Sequence, residues 1–464
     1  MLLTAALTLV LGALAGEAPH AHHRGDGAGR FPDATVPSFE AKDRRWTQPA
    51  PAWSNAAPVL FAGQVCALAE PTTVWCVDAD TGAPTWSAQL DVLDALSGEA
   101  RAEAEAARAA ALVAEARYAE VRQQWSALRR ELRRDPEAMP RLEAADRELK
   151  ALEPVLEAGR PYITPPVREI VGYTSHSPLT DGTRLYVLLG TGLVAALGPQ
   201  GERLWSTWLG PAPTPRRGYH LGTCATPVLV DGSLVVGWDH LVALDAATGQ
   251  ERWRGEPPYA LYGSPAVARP DGRAVVVTPD GFAHDARSGD VLAEGLGDAW
   301  FVGPSVDGDE LMWIGRRVED PRREPQGRIV AEAVRLRGAT GALAVERLWR
   351  TELPTRDAVY NAAVPAPSGW WVGDALGRIW RLDRADGTST LVDDPRGTPA
   401  YASPVSLGDT LLVVNDDGMV RLVDLASGEV TLRTRLGPTR ATPLASGRRV
   451  WIRTLEELLA LGVP

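Results

Sequence analysis

The sequence predicts an all-β protein built from repeated four-stranded antiparallel sheets, and three observations support this. A small residue followed by proline recurs at the start of successive apolar runs. Between these prolines a second signature recurs, which consists of Asp, two residues, Thr or Ser, and Gly. Paired apolar runs lie between the two marks, for example 411–415 and 419–424, and Asp416-Asp417-Gly418 joins this pair as a hairpin turn.

The proline marks set the length of the repeat, because most of their spacings are 38 or 39 residues. The marks are Pro58, Pro178, Pro227, Pro265, Pro304, Pro365, Pro404 and Pro443. The spacing between the first two is 120 residues, which predicts one large insertion after the first repeat.

The Asp and Gly signature is typical of a tight turn, since Asp can accept backbone N–H groups and Gly can adopt a positive φ. It occurs at Asp78, Asp245, Asp285 and Asp424, with a variant at Asp383. A tryptophan follows some of the turns after four residues, as at Trp86, Trp205 and Trp253. We expect these rings to leave an outer strand and pack against the neighbouring sheet.

A four-stranded sheet cannot cover both of its faces, so the repeats are predicted to stack radially as a β-propeller. The last repeat, 441–461, lacks an outer strand, and a strand of the outer type precedes the first repeat at Arg44-Arg45-Trp46. The N-terminal strand is therefore predicted to complete the last blade. Eight blades are expected, or seven if the weak repeat around Pro304 and Gly341 is irregular.

The segment 243–253, ALDAATGQERW, resembles the core of the quinoprotein-type (PQQ-like) propeller repeat, and 76–86 is similar. Degenerate copies cover nearly all of residues 43–464 outside the insertion. This family includes pyrroloquinoline-quinone dehydrogenases and the propeller component of the outer-membrane barrel-assembly machine. The resemblance implies the fold and leaves the activity open.

The insertion, residues 92–158, is rich in Ala, Glu, Arg and Leu and is predicted to form an α-helical coiled-coil hairpin. An apolar seam runs from Ala100 to Leu132, Asp135-Pro136 breaks it, and a second helix follows. The hairpin is either a spacer or a clamp across the propeller's own surface, or an arm that binds a partner.

One face of the propeller is predicted to be elaborated, because the insertion and two long links, 211–222 and 316–328, leave from it. Polar and aromatic residues precede the inner-strand prolines on that face, near the mouth of the central channel. They are Trp53, Tyr173, His176, Tyr262, Phe301, Tyr360, Asn361, Tyr401 and Arg440. These side chains either pack between adjacent inner strands or form a surface for a partner or ligand.

The predicted organisation is a signal peptide over 1–15, a flexible linker over 16–42, the closing strand and first blade over 43–91, the helical hairpin over 92–158, and the remaining blades over 159–464. The apolar run from Met1 to Ala15 is too short for a membrane-spanning helix. We therefore expect a periplasmic or secreted protein.

Three cysteines are present, Cys66, Cys76 and Cys224. If the hairpin between the first two is symmetric about residue 71, they face each other and can form a disulfide. A register shifted by one residue places them on opposite sides of the sheet, so both alternatives stay open.

The charge and the motifs limit the function. A net charge of −11 argues against nucleic acid as a partner. Motifs for a phosphate-binding loop or a nucleophilic serine elbow are missing, so no catalytic residue, metal or cofactor is assigned. The sequence favours a monomeric, non-catalytic scaffold that binds another protein in the cell envelope. The alternative is a quinone-dependent (PQQ) dehydrogenase-like enzyme with calcium in the central channel.

Overall fold

The computed structural model describes residues 24–164, 171–213, 222–259, 261–317, 327–355, 358–395 and 397–462. The predicted signal peptide over 1–15 lies outside these ranges. In the described part, the strands form eight sheets, and two α-helices are inserted between the first and second sheets.

Two strands precede the first complete sheet: β1 (Arg30–Phe31) and β2 (Arg44–Pro49). Sheet 1 contains β3 (Val59–Phe61), β4 (Gln64–Ala69), β5 (Thr73–Asp78) and β6 (Pro84–Gln89). Sheet 2 contains β7 (Leu179–Thr180), β8 (Leu185–Leu188), β9 (Leu193–Leu197) and β10 (Arg203–Trp208). Sheet 3 contains β11 (Val228–Val230), β12 (Ser233–Gly237), β13 (Leu241–Asp245) and β14 (Glu251–Arg254). Sheet 4 contains β15 (Ala266–Ala268), β16 (Val275–Val277), β17 (Ala283–Asp285) and β18 (Val291–Ala293).

Sheet 5 contains β19 (Ser305–Asp307), β20 (Glu310–Arg317), β21 (Arg328–Arg337) and β22 (Ala344–Glu352). Sheet 6 contains β23 (Val364–Ala366), β24 (Gly369–Gly373), β25 (Ile379–Leu382) and β26 (Ser389–Asp393). Sheet 7 contains β27 (Val405–Leu407), β28 (Thr410–Val414), β29 (Met419–Asp424) and β30 (Val430–Arg435), and β1 joins it. Sheet 8 contains β31 (Leu444–Ser446), β32 (Arg449–Arg453) and β33 (Glu457–Gly462), and β2 joins it.

Each sheet is a meander in which neighbouring strands of the repeat pair antiparallel, which confirms the predicted four-stranded units. Clusters of buried apolar side chains join each sheet to the next along the chain. A further cluster joins sheets 7 and 8 to sheet 1. The packing is thus a closed cycle, as in a β-propeller.

The two chain ends meet in sheet 8. Strand β2 pairs antiparallel with β33, and Trp46 lies opposite Ala460. The outer strand that the last repeat lacks therefore comes from the N-terminal part of the chain.

Tryptophans on outer strands pack on the next sheet. The five pairs are Trp46 on Gly82, Trp86 on Gly201, Trp205 on Gly249, Trp253 on Gly289 and Trp349 on Gly387. A β-carbon on any of these glycines would lie 2.4 to 2.6 Å from the indole ring. Each indole N–H also donates to a backbone carbonyl of the next sheet at 2.9 to 3.2 Å. The glycine of the turn thus has two functions, since it also adopts a positive φ in all five pairs.

The aspartate of the turn signature accepts hydrogen bonds as predicted. The Oδ1 atom of Asp78 accepts from the backbone N–H of Asp80 and Thr81 and from the Thr81 hydroxyl. Asp245 and Asp424 make the equivalent bonds in their turns.

Cys66 lies directly opposite Cys76 in the pairing of β4 with β5, and the two form a disulfide. The pairing is symmetric about residue 71, because Ala69 lies opposite Thr73. Cys224 is a free thiol.

Two positions differ from the sequence prediction. Pro365 lies inside β23, whereas Pro404 immediately precedes the equivalent strand β27, so Ala363 occupies the position of the repeat proline in sheet 6.

The predicted flexible linker, as far as it is described, is packed on the propeller. Its residues 30–31 form β1, which pairs parallel with β27, and Thr35 N–H donates to Gly447 O at 2.7 Å. This segment had no sequence signal, because its partners are distant in the chain.

The inserted helices are α1 (Gly98–Glu131) and α2 (Met139–Gly159). They pack antiparallel, since Arg117 Nε lies 2.6 Å from Glu148 Oε1 while a β-carbon on Gly159 would touch Ala111. The prediction of helix from residue 92 is corrected, because Val92–Ala95 is a single 3₁₀ turn. Asp91 and Asp94 form a capping box at the start of this turn, and Leu96 in extended conformation ends it before α1 begins.

Candidate functional site: the central cavity and the helical hairpin

A cavity of about 700 Å³ lies where the inner strands begin. All eight sheets contribute residues to its wall, from Asn55 before sheet 1 to Thr442 before sheet 8. The cavity therefore lies on the axis about which the sheets are arranged.

The small residue before the repeat proline bridges neighbouring sheets around this cavity. Wherever this small residue is Ser or Thr, its hydroxyl oxygen accepts a hydrogen bond from the backbone N–H of the equivalent residue in the preceding sheet. The N–O distances are 2.9 to 3.1 Å. The five pairs, donor first, are Ala57 with Ser177, Ser177 with Thr226, Thr226 with Ser264, Ala362 with Ser403, and Ser403 with Thr442. We call the five accepting side chains the hydroxyl series. The sequence contained this signal as the small residue before proline, but its function depends on the neighbouring sheet.

An aromatic arc covers another part of the wall. Its rings come from the links that precede β15, β19, β23 and β27. Centroid distances are 5.6 Å for Tyr262 and Phe301, 5.6 Å for Phe301 and Tyr360, and 5.3 Å for Tyr360 and Tyr401. The Arg440 guanidinium continues the arc 5.8 Å from the Tyr401 ring. The arc therefore presents a nearly continuous apolar surface from sheet 4 to sheet 8.

The N-terminal segment, residues 24–31, forms part of the cavity wall. The Arg24 guanidinium is 7% exposed and donates to the carbonyl oxygens of Ala362, Ala363 and Pro404 at 3.0 to 3.3 Å. Burial lowers the pKa of Arg24 to about 10. Arg30 pairs with Asp26 and with Asp307 of sheet 5, both at 2.6 Å. The segment thus ties sheets 5, 6 and 7 together from inside the channel.

The nine predicted channel-mouth residues divide into two groups. Five line the cavity: Tyr262, Phe301, Tyr360, Tyr401 and Arg440. The other four, Trp53, Tyr173, His176 and Asn361, are not part of its wall. Sequence reasoning missed Arg24, Asp26, Arg30 and the hydroxyl series.

The four residues outside the cavity have packing or backbone contacts instead. Asn361 is buried and donates from Nδ2 to Gly373 O and Ala400 O. His176 is fully buried, its ring lies 6.3 Å from that of Trp238, and burial lowers its pKa to about 3. The backbone of Tyr173 donates to the carboxylate of Glu70, which links this segment to sheet 1. The fourth residue, Trp53, is also linked to Glu70, because its backbone carbonyl accepts from the Glu70 N–H at 3.0 Å.

Cys224 lies in the cavity wall beside the arc, and its Sγ donates to Tyr262 O at 3.4 Å. Burial raises the pKa of this thiol to about 12. The thiol is therefore neutral at physiological pH and a poor nucleophile.

The described residues do not fit a calcium-bound quinone. Calcium prefers several carboxylate and amide oxygens. In the described wall the one carboxylate is Asp26, and Arg30 already pairs with it. No group of three His, Cys, Asp or Glu side chains that could hold a metal occurs in the part of the chain the structure covers. No catalytic step through a quinone follows from these residues.

The base of the helical hairpin packs on the outer strand of sheet 2. Asp94 pairs with Arg203 of β10 at 2.6 Å, and its carbonyl accepts from Ser206 Oγ at 2.8 Å. The ring of Tyr162, which follows α2, lies 5.5 Å from that of Trp208. The base of the hairpin is therefore anchored on the outer strand of sheet 2.

Comparisons with known proteins agree with this architecture. Residues 190–298 match the model of a PQQ-like family described as outer membrane protein assembly factor BamB, which confirms the resemblance seen in the repeat. No curated protein sequence matches the chain. No helix among the described residues is long and apolar enough to cross a membrane.

Solved structures share the fold at low sequence identity. BamB from Moraxella catarrhalis is 12% identical with a TM-score of 0.53, and the match covers 90% of this chain and 99% of that chain. The computationally designed Ika8 protein is 10% identical with a TM-score of 0.52, covering 91% of this chain and 100% of that chain. Quinohemoprotein alcohol dehydrogenase from Comamonas testosteroni is 11% identical with a TM-score of 0.47, covering 97% and 81%. At these identities the likeness to the BamB and Ika8 structures, whose TM-scores exceed 0.5, concerns the fold alone.

Proposed function

Because the chain carries repeats of the PQQ-like propeller family, we propose that it is an exported, non-catalytic, eight-bladed propeller scaffold. It binds another protein in the cell envelope through the channel-mouth face and the helical hairpin. The family description, an outer membrane protein assembly factor, supports a role in the envelope.

The observation that carries the proposal is the way the hairpin is fixed at one end. Arg108 pairs with Asp91 at 2.7 Å, and Arg101 donates to Leu93 O at 3.1 Å. Leu90 and Val92 belong to the buried cluster that joins the first two sheets, and Leu93 is buried as well. Since α1 is about 50 Å long at 1.5 Å per residue, an anchored base holds its distal half well away from the sheets.

The distal half of the hairpin has the composition of a binding surface. Trp125 lies between the guanidinium groups of Arg122 and Arg129, whose Cζ atoms are 5.2 and 5.1 Å from the ring. Tryptophan and arginine are enriched among the residues that dominate protein interfaces. Trp125 also packs partly against the core of the helix pair, and the two arginines beside it are exposed to a partner.

The test shortens the hairpin and keeps its base. Residues 118–152 are replaced by a short Gly-Ser turn, which joins two positions that face each other in the helix pair. We expect the variant to keep the wild-type unfolding midpoint and to lose the partners that the full protein captures by crosslinking in its native envelope. The triple variant W125A, R122A and R129A, which keeps the helices, should lose the same partners.

Two results would contradict this proposal. One is retention of every crosslinked partner by both variants, which would exclude the hairpin as the contact. The other is stoichiometric uptake of a quinone with Ca²⁺ by the purified protein, measured from its absorbance spectrum.

A further inference from the structure

The wall of the central cavity is rich in cationic groups. Four arginines line it, Arg24, Arg30, Arg269 and Arg440, together with the single carboxylate of Asp26 in the described wall. Three of these arginines pair with aspartates that are not part of the wall: Asp307 with Arg30, Asp231 with Arg269, and Asp416 with Arg440. These three carboxylates are not part of the wall, so four guanidinium groups and one carboxylate face the cavity in the described wall.

The hydroxyl series adds hydrogen-bond donors to the same wall. A serine or threonine hydroxyl has one proton, and in this series the oxygen is already an acceptor for a backbone N–H. None of the five hydroxyls donates to an acceptor among the described residues, and all five line the cavity. Five hydroxyl protons therefore remain for a ligand that carries acceptors.

The N-terminal segment shows that the channel can hold an extended chain. Strand β1 adds to the inner edge of β27 in parallel pairing, with Arg30 opposite Ser406 and Phe31 opposite Leu407. The inner strands β11, β15 and β19 also end their sheets on the channel side, and no described strand pairs with those edges. Such edges can pair with an added peptide, and neighbouring pockets then select its side chains.

We propose that the central cavity binds an extended acidic segment of the partner protein that also carries an aromatic side chain. The arginines and hydroxyl protons take the carboxylates, and the aromatic arc takes the ring. This inference rests on the proposed scaffold function and names the chemistry of the partner segment. It concerns a surface separate from the hairpin.

The experiment uses the full-length mature protein and a fluorescein-labelled peptide, GEFDFEG, followed by fluorescence anisotropy. Its amide counterpart, GQFNFQG, keeps the shape and removes the charge. We expect saturable binding of the acidic peptide, weakened by added salt, and at least about tenfold weaker binding of the amide peptide, since each charged contact is lost.

A matched pair of charge reversals locates the binding. Arg269→Glu changes a cavity arginine that is 41% exposed and pairs with Asp231, whereas Arg254→Glu changes an outer-strand arginine that is 35% exposed and pairs with Asp239. We expect R269E to weaken binding of the acidic peptide by about tenfold or more and R254E to leave it unchanged. Tyr360→Ala, which interrupts the aromatic arc, should weaken it as well.

The proposal is overturned if neither peptide binds up to about 1 mM, or if both bind equally well. It is also overturned if citrate displaces the acidic peptide completely and binds with similar affinity, because the cavity would then be a site for small carboxylates. These failures leave the scaffold intact as long as the hairpin variants still lose their crosslinked partners. If the peptide binds as expected and the hairpin variants keep every partner, the hairpin is not the contact and only the scaffold's arm is refuted.

Discussion

The indole N–H of Trp46 donates to the carbonyl of Ala79 at 3.2 Å, and this contact joins strand β2 of sheet 8 to the turn between β5 and β6 of sheet 1. The same ring covers Gly82. The Trp46 side chain therefore joins the last sheet to the first and helps to close the ring of sheets. Arg449 of β32 strengthens this junction by pairing with Asp80.

Gly82→Ala should destabilise the protein more than an otherwise similar change at Gly63. Both glycines adopt positive φ, +72° and +77°, which costs an alanine about 1 to 2 kcal/mol. A β-carbon at Gly63 meets nothing within 4 Å, whereas at Gly82 it would lie 2.5 Å from Trp46. We expect Gly82→Ala to lower the free energy of unfolding by about 1 to 3 kcal/mol more than Gly63→Ala does, because the indole must move.

The measurement is the free energy of unfolding of both variants from urea titrations. Equal losses would show that the Trp46 ring shifts without cost and that ring closure does not depend on this contact.

Ser264→Ala should lower the free energy of unfolding by about 1 to 3 kcal/mol, because it leaves the buried backbone N–H of Thr226 without its acceptor. Ser126→Ala, on the exposed face of α1, is the control and should change stability by less than about 0.5 kcal/mol. Denaturant titration of the two variants separates the outcomes. A loss at position 264 no larger than at 126 would mean that the hydroxyl series does not hold the sheets together.

Replacing both Cys66 and Cys76 by alanine should cost about 3 kcal/mol. The disulfide closes a loop with a sequence separation of 10 residues, and cross-links of this size restrict the unfolded chain by about that free energy. Alanine is chosen because both side chains are buried. In denaturant titrations the wild type should lose stability on addition of dithiothreitol, and the double variant should not respond to it.

Stability should fall in mild acid because of His176. Burial lowers the pKa of His176 from its ordinary value of 6.5 to about 3, so between these values the unfolded chain binds a proton that the folded chain does not. The contribution of this residue is present above pH 6.5 and is lost as the pH falls toward 3. At pH 4.5 the loss is about 2 to 3 kcal/mol, at 1.36 kcal/mol per pH unit.

The check compares unfolding midpoints at pH 7 and pH 4.5 for the wild type and His176→Phe, which removes the titrating group and keeps an aromatic ring beside Trp238. His240→Gln, at a partly exposed histidine, is the control. The His176 variant should lose less stability on acidification than the other two proteins. Identical acid sensitivity of all three would show that His176 is not the cause.

Much of the fold could be predicted because its signals are local and repeated. The turn aspartate, the positive-φ glycine and the outer tryptophan act within a few residues of each other or on the adjacent repeat, so their spacing identifies the four-stranded unit. The pairing of the strand around Trp46 with the final strand followed from the missing outer strand of the last repeat. The PQQ-like family match over 190–298 agrees with this interpretation.

The candidate site could be predicted only in part. Its aromatic arc was found because every ring precedes an inner strand, but Trp53, Tyr173, His176 and Asn361 occupy similar positions and do not line the cavity. Side chains at the start of an inner strand can turn toward the axis or into the packing between sheets, and the repeat spacing does not distinguish these orientations.

The amino-acid sequence by itself determined the repeating unit, its turns and the way the ring closes. Only the tertiary structure decided that residues 24–31 lie in the channel and that serine and threonine hydroxyls link neighbouring sheets. It also decided that the hairpin rests on sheet 2. The physical reason is the distance along the chain between the partners: Arg24 donates to Ala363, 339 residues away. Hydrogen bonds of this kind depend on where closure of the ring places each backbone carbonyl. The residues next to Arg24 in the sequence do not indicate where those carbonyls lie.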